Sequence, residues 1–298
     1  MPESHVLVGA EPLRAPPVVR RIGLADLKDA LARGIDDFAA MPSHAVFLSL
    51  IYPLIGIVLG AVTFGYGLMQ LTYPLIAGFA LLGPFAAIGL YELSRRREAG
   101  LSTDLTKAFD DFRLPSVGAI AALGLLLTAI FLLWLVVAHG IYIAIFGDAP
   151  VPLSVGEFAR QVFTTPEGWR LIVIGNAVGF LFALLVLIIS VVSFPLLIDR
   201  DVGVVEAVLT SCRAVRANPF PMAVWGLIVA AGLVLGSLPL LLGLTVVLPV
   251  LGHATWHLYR KVVEPDPNPP PREPPRPPKR RRYAAQFPAS LFTGEDRP

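Results

Sequence analysis

The sequence predicts an all-α membrane protein: six transmembrane helices, arranged as three repeats of an amphipathic elbow helix feeding a hydrophobic hairpin. Three observations predict it. Apolar residues make up 55% of the chain and charged residues only 15%, with a mean hydropathy of +0.69, a balance typical of membrane proteins and not of soluble domains. The charges lie almost wholly outside a set of long apolar runs. Those runs are joined three times by one kind of segment, at Gly23 to Pro42, Gly100 to Pro115 and Phe194 to Pro219, each a short polar stretch with helical spacing of its apolar residues.

The remaining composition sets bounds on function. A net charge of +2, spread this way, offers no nucleic-acid patch. The single Cys212 excludes an internal disulfide and reads as a small residue on a helix face. The first 45 or so residues are polar and mixed in charge, and the apolar run after them is too long for the core of a cleaved signal, so it is expected to remain as an anchor.

Residues 1–22 read as a flexible arm, with Pro12, Pro16 and Pro17 and no periodicity. From Leu24 the apolar positions Leu24, Leu27, Leu31, Ile35 and Phe38 recur at helical spacing, with Asp26, Lys28, Asp29, Arg33, Asp36 and Asp37 elsewhere on the wheel. Lipid-surface helices are usually basic, so this carboxylate-rich helix is expected to pack against the spans. The six-span domain is placed at 23–263, with spans at about 46–69, 72–93, 117–146, 171–198, 220–236 and 239–259. Each needs roughly 20 residues at about 1.5 Å apiece to cross about 30 Å of hydrocarbon. Pro53, Pro74 and Pro84 are expected to kink the first two. The second elbow carries Ser102, Thr103 and Asp104 as candidate caps. A short helix around Ser154 to Phe163, followed by Thr165-Pro166-Glu167, opens span four. Residues 264–298 are a Pro-rich basic tail with too few apolar residues to fold.

Orientation follows from the basic residues. With the arm, the three elbows and the tail on one side, all of the 24 Lys and Arg fall there except Arg160 and Arg170. Basic residues beside spans resist translocation, so both termini are expected in the cytoplasm. Trp169 suits the outer interface, and Trp225 and Trp256 the inner one.

Candidate chemistry is sparse. Ion-coupled transporters place charge at mid-membrane, and the span interiors have none; Asn176 and His139 are the nearest substitutes. His253 and His257 are four apart on one face near the cytoplasmic end of span six, and His44 enters span one at a similar depth. Three imidazoles at one level are weak metal candidates, or haem ligands; interfacial hydrogen bonding is the simpler role. Asp199 and Arg200 form a candidate elbow ion pair. Gly56 and Gly60 make a GxxxG, a signature of close helix packing. The sequence contains no catalytic constellation and no cofactor-binding motif. The expected partners are membrane lipids and, through the cytoplasmic elbows, other membrane proteins, with no nucleic acid.

Four blocks, GPFAAIGLYELSRRREAG (Gly83 to Gly100), FDDFR (Phe109 to Arg113), SFPLLIDRDVG (Ser193 to Gly203) and GHATWHLYR (Gly252 to Arg260), give the chain a resemblance to a bacterial family of predicted integral membrane proteins, domain of unknown function 2189. The likeness covers roughly Leu24 to Val262. It implies a six-span bacterial inner-membrane protein with no assigned activity. Some members carry an oxidase-like label, but the dense mid-membrane His array of such an enzyme is missing here. The third elbow also resembles the membrane domains attached to some glycerophosphodiesterases, by analogy only.

The expected function is thus a non-enzymatic accessory or envelope-maintenance factor. The alternatives are a carrier or channel for a small uncharged or lipid-like solute, and a His-ligated metal or haem protein.

Overall fold

A computed structural model describes residues 16–42, 50–65, 68–103, 117–147, 152, 154–239 and 241–266. Its elements are α1 (Leu24–Ala40), α2 (Ile51–Gly65), α3 (Thr72–Phe79), α4 (Gly83–Ala86), α5 (Ile88–Glu98), α6 (Val117–Phe146), α7 (Val155–Thr164), α8 (Pro166–Ser190), α9 (Ser193–Asp199), α10 (Val204–Ala217), α11 (Pro219–Ser237) and α12 (Leu244–Val262). Among the described residues there is no strand, only a single bridge between Val19 and Val263. The second elbow from residue 104 on, and residues 46–49 and 66–67 of the expected first span, lie outside the described residues.

Among the described residues, four helical segments are long and apolar enough to cross a membrane: Met69–Glu98, Val117–Phe146, Pro166–Asp199 and Pro219–Ser237. The outward faces of the last three carry Leu125, Val136, Val173 and Leu227, each more than 60% exposed, a surface suited to lipid and not to water. The two remaining expected spans differ. In α2 the described helix has 15 residues, about 22 Å at 1.5 Å per residue. The last, α12, is long enough, but its second half carries His253, Trp256, His257, Tyr259, Arg260 and Lys261, and all but the last two of these are buried by other helices.

Proline chemistry sets where the apolar rods break. Pro195 has no N–H and its ring crowds the carbonyl four residues earlier, at Val191; the helix expected to run unbroken to 198 stops at Ser190 and restarts at Ser193. The break is held by α10. Val192 N–H donates to Ser211 Oγ at 3.3 Å, and Ser193 Oγ lies 2.5 Å from Ile189 O and 3.0 Å from Ala207 O. Short 3-10 turns at Met69–Leu71 and Ala80–Leu82 precede Pro74 and Pro84 in the same way.

The densest core sits at one end of the bundle. Trp225, Trp256, Tyr259, Phe194, Leu196 and Leu258 are fully enclosed there, among the ends of α1, α5, α9, α10 and α12. Trp225 and Trp256 thus belong to a packed interior and not to an interfacial belt. Trp169, by contrast, is 54% exposed. Part of the expected arm is fastened to this end. Arg20 N–H donates to Val262 O at 2.7 Å, Glu264 N–H donates to Val18 O at 3.0 Å, and Asn218 clamps the chain by accepting from Ile22 N–H and donating to Arg20 O.

The most extensive helix pair is α1 with α12, which run antiparallel: Lys261 faces Asp26 and Asp29, Ala254 faces Gly34, and His257 faces Asp37. The carboxylates of α1 therefore meet the basic residues of α12. At the crossing, a Cβ on Gly34 would lie 2.6 Å from the Ala254 backbone nitrogen and from its Cβ. Of the GxxxG glycines, Gly56 lies under the Leu241 side chain and Gly60 faces open space.

Backbone atoms cannot move aside as a side-chain end can, so Gly34→Ala should cost about 1–3 kcal/mol, read as a drop of several degrees in the melting temperature of the detergent-purified protein. Gly60→Ala, with nothing within 4 Å, should melt like wild type. Equal melting of the two variants would contradict this packing.

Candidate functional site

The dense end is built on a buried carboxylate. Asp37 lies in the last turn of α1 and is 3% exposed. From α5, Ser94 and Arg97 stand one turn apart and reach the same carboxylate. Ser94 Oγ is 2.5 Å from Asp37 Oδ2, and Arg97 Nη1 pairs with Oδ1. From α12, His257 Nε2 is 2.8 Å from Asp37 Oδ2. Ser94 Oγ is also 2.8 Å from His253 Nδ1. Burial alone would raise the Asp37 pKa, but hydrogen bonds from His257, Ser94 and Arg97 outweigh it and bring the group down to about 2.

Proton directions follow. An ionised carboxylate only accepts, so Ser94 gives it its one proton, and the serine oxygen must then accept from His253 Nδ1–H. His253 Nε2 is left buried and unpartnered. In a nucleophile–base pair the imidazole takes the serine proton; here the imidazole donates. The geometry therefore holds three helices together and does not activate Ser94.

Around this carboxylate lies a ring of ion pairs. Glu92, 4% exposed, accepts from Arg95 at 2.7 Å twice over and from Arg96 Nε at 2.9 Å. Glu98 accepts from Trp256 Nε1 at 3.0 Å and Arg260 Nε at 3.1 Å. Asp199 accepts from Tyr259 OH at 2.6 Å and Arg260 Nη1 at 3.4 Å. At the start of α1, Asp29 lies 2.8 Å from Lys261 Nζ, whose hydrogen bond holds it below the usual carboxylate range.

The residues singled out from sequence are distributed as follows. His253 and His257 do share a face, but they point to Ser94 and Asp37; His44 lies outside the described residues. No group of three His, Cys, Asp or Glu that could hold a metal ion occurs among the described residues. Asp199 and Arg200 lie 3.7 Å apart, farther than Asp199 from Tyr259; Arg200 also reaches the Glu264 carbonyl. Cys212 is half-buried and unbonded. Asn176 accepts from Tyr73 OH at 2.7 Å and donates to Ile172 O, so it does not pair with His139. Sequence reasoning missed Asp37, Glu92, Ser94 and Tyr259. The available signal for Asp37 was faint: it continues the line of small residues Ala30 and Gly34 at helical spacing, beside the leucine face of α1.

These features define the class: an all-helical integral membrane protein whose polar residues collect in a hub at one end. Residues 72–199 match the model of the family described as "Predicted integral membrane protein (DUF2189)". That stretch contains Glu92, Ser94, Arg97 and Asp199, while α1 and α12, which complete the hub, lie outside it. No curated protein and no solved structure matches the chain.

The depressed Asp37 pKa fixes the sign of an acid dependence. Its stabilisation is fully present above the unfolded carboxylate range near 4 and is lost as pH falls toward about 2, worth about 2 kcal/mol in all. Wild type should therefore lose melting temperature from pH 5 to pH 2. Asp37→Asn should be less stable at pH 7 by about 3–5 kcal/mol and show a shallower acid slope. Equal slopes would contradict the assignment.

Proposed function

We propose that the chain is a six-crossing protein of the bacterial inner membrane with both termini in the cytoplasm, acting without catalysis as an accessory or envelope-maintenance factor. The observation that carries the crossing number is parity. Asp199 ends one crossing and binds Tyr259 and Arg260 at the end of α12, so the chain between them must return to the side it left. With α11 read as one crossing, a second crossing by α12 supplies the return. Likewise Asp37, before α2, binds Ser94 and Arg97, at the end of the Met69–Glu98 segment, which supports reading α2 as a crossing too. The hub gathers Arg95, Arg96, Arg97, Arg200, Arg260 and Lys261, which supports a cytoplasmic face.

The accessory role draws on what this face presents. The α10 elbow buries Ala207, Ser211 and Ala214 and leaves Val205 and Leu209 68% and 51% exposed, an apolar edge suited to lipid or to another membrane protein. The hub's own charges are matched internally, as befits a rigid platform. Ligation of metal or haem by His253 and His257 finds less support, since both rings are engaged by Ser94 and Asp37. A carrier or channel for a small uncharged or lipid-like solute draws on the uncharged polar groups at the far end of the bundle.

Labelling of intact cells tests the arrangement. In a Cys212→Ala background, a membrane-impermeant maleimide should modify Gly156→Cys on α7 and leave Arg216→Cys on α10 unmodified until the cells are lysed. The reverse pattern would contradict the orientation, and labelling of both would contradict the crossing number.

A further inference from the structure

The side of α10 turned away from the bundle carries an apolar stripe that ends in a basic turn. At about 3.6 residues per turn, Ala207, Thr210, Ser211 and Ala214 share one side of this helix, and all four are buried. Val205, Leu209, Cys212 and Arg216 share the opposite side; Cys212 is half-buried and the other three are exposed. Arg213, at the edge of the stripe, pairs with Glu206. Phe220, at the start of α11, is 66% exposed.

The neighbouring elements set the depth of this stripe. The two segments that α10 joins, Pro166–Asp199 and Pro219–Ser237, are both long and apolar enough to cross a membrane. The helix lies along α9, the last two turns of the first segment: Ser211 Oγ accepts from Val192 N–H and Ala207 O accepts from Ser193 Oγ. Leu209, between these two anchors and on the opposite side, is therefore level with Val192 and Ser193, two turns short of the segment's end. Arg216 is nearer that end. Two residues after it, Asn218 is fastened to Arg20 O and Ile22 N–H at 2.9 and 2.7 Å, and Arg20 N–H donates to Val262 O at the end of α12.

The same clamp adds a second cation. Asn218 bonds the residues on both sides of Arg21, so the backbone of Arg21 stands beside the end of α10. Arg21 and Arg216 are exposed, and neither side chain makes an ion pair or a hydrogen bond among the described residues. The arginines of the hub differ: Arg95, Arg96, Arg97 and Arg260 each meet a carboxylate. Apolar side chains backed by basic ones at head-group level are the chemistry of an anionic lipid surface. A neutral apolar partner would leave both guanidinium groups without a counter-charge.

We propose that the outer side of α10, together with Arg21, binds anionic phospholipid: Val205, Leu209 and Phe220 meet acyl chains, and Arg21 and Arg216 hold the negatively charged head group. This deepens the accessory reading by naming what the α10 edge meets, and it rests on the two segments that flank α10 being crossings.

The test places a bimane fluorophore on Leu209→Cys, in a Cys212→Ala background, with the full chain in phosphatidylcholine nanodiscs. A minor fraction of the lipid carries bromine on its acyl chains, as either phosphatidylcholine or phosphatidylglycerol, and bromine quenches only a fluorophore close to it. Brominated phosphatidylglycerol should quench more strongly, and Arg21→Gln and Arg216→Gln should each lower its preference over phosphatidylcholine about fivefold. Salt at about 1 M, where the screening length is about 3 Å, should shrink the preference and leave quenching by brominated phosphatidylcholine unchanged. In pure phosphatidylcholine the two variants should melt like wild type. A control fluorophore on Leu227→Cys, exposed on α11, should be quenched by both lipids alike. Equal quenching of the Leu209 label by the two lipids, a preference that survives both substitutions, or variants that melt lower in phosphatidylcholine, as groups paired within the chain would, would each overturn the proposal. So would a label at 209 that stays bright while the one at 227 is quenched, the result for a side reserved for a protein. Labels that stay bright at both positions would overturn the crossings themselves, and the proposal with them.

Discussion

A carboxylate held away from water is the constraint on which the rest of this molecule turns. Stripping an ion of its hydration costs several kcal/mol even in a relaxed protein interior, and only good hydrogen bonds offset it. Asp37 has three donors, drawn from α5 and α12 while it sits on α1 itself. If any one of these elements leaves, a buried charge is left short of partners. That is why α1, amphipathic and rich in carboxylates, packs along α12 and not along a lipid surface. It also accounts for the second half of α12, where histidines and aromatics replace the leucines a lipid-facing helix would carry.

The same logic repeats outward. Glu92, Glu98 and Asp199 each bind more than one donor: Glu92 within α5 itself, and Glu98 and Asp199 from α12. Buried ion pairs are weak contributors to stability taken as pairs, but breaking one is expensive. Those that join two helices, at Asp37, Glu98 and Asp199, therefore specify one arrangement of helix ends better than apolar packing alone does. The far end of the bundle is the opposite case: its enclosed polar atoms are uncharged and unmatched. The charges of the hub are matched, with His253 Nε2 left over, whereas the far end leaves several uncharged polar atoms unmatched.

Much of this was legible in the chain itself, for definite reasons. A helix covers 117–146, as α6, and another, α11, covers 219–237 around the apolar run at 220–236, because an apolar run without a turn signal leaves nothing to interrupt a helix. The elbows at α1 and α10 were readable from the 3.6-residue spacing of their apolar side chains. What escaped was long-range. Asp37 meets Ser94 and His257 across 57 and 220 residues of chain, and periodicity carries no trace of such pairings. Adjacent Asp199 and Arg200 suggested a pair, whereas the nearer partner of Asp199 is Tyr259, placed beside it only by tertiary packing. The arm ran too far for a related reason: its last residues have no pattern of their own and are held by Asn218 and by the backbone of Val262 and Glu264.

The claim that a buried carboxylate organises the helix ends has one direct test, a double-mutant cycle on the unfolding free energy with Asp37→Asn, Ser94→Ala and the combined variant. The short hydrogen bond between these groups predicts a coupling of about 1.5–3 kcal/mol. Strictly additive losses would mean that Asp37 and Ser94 do not meet, and the hub as described would not exist.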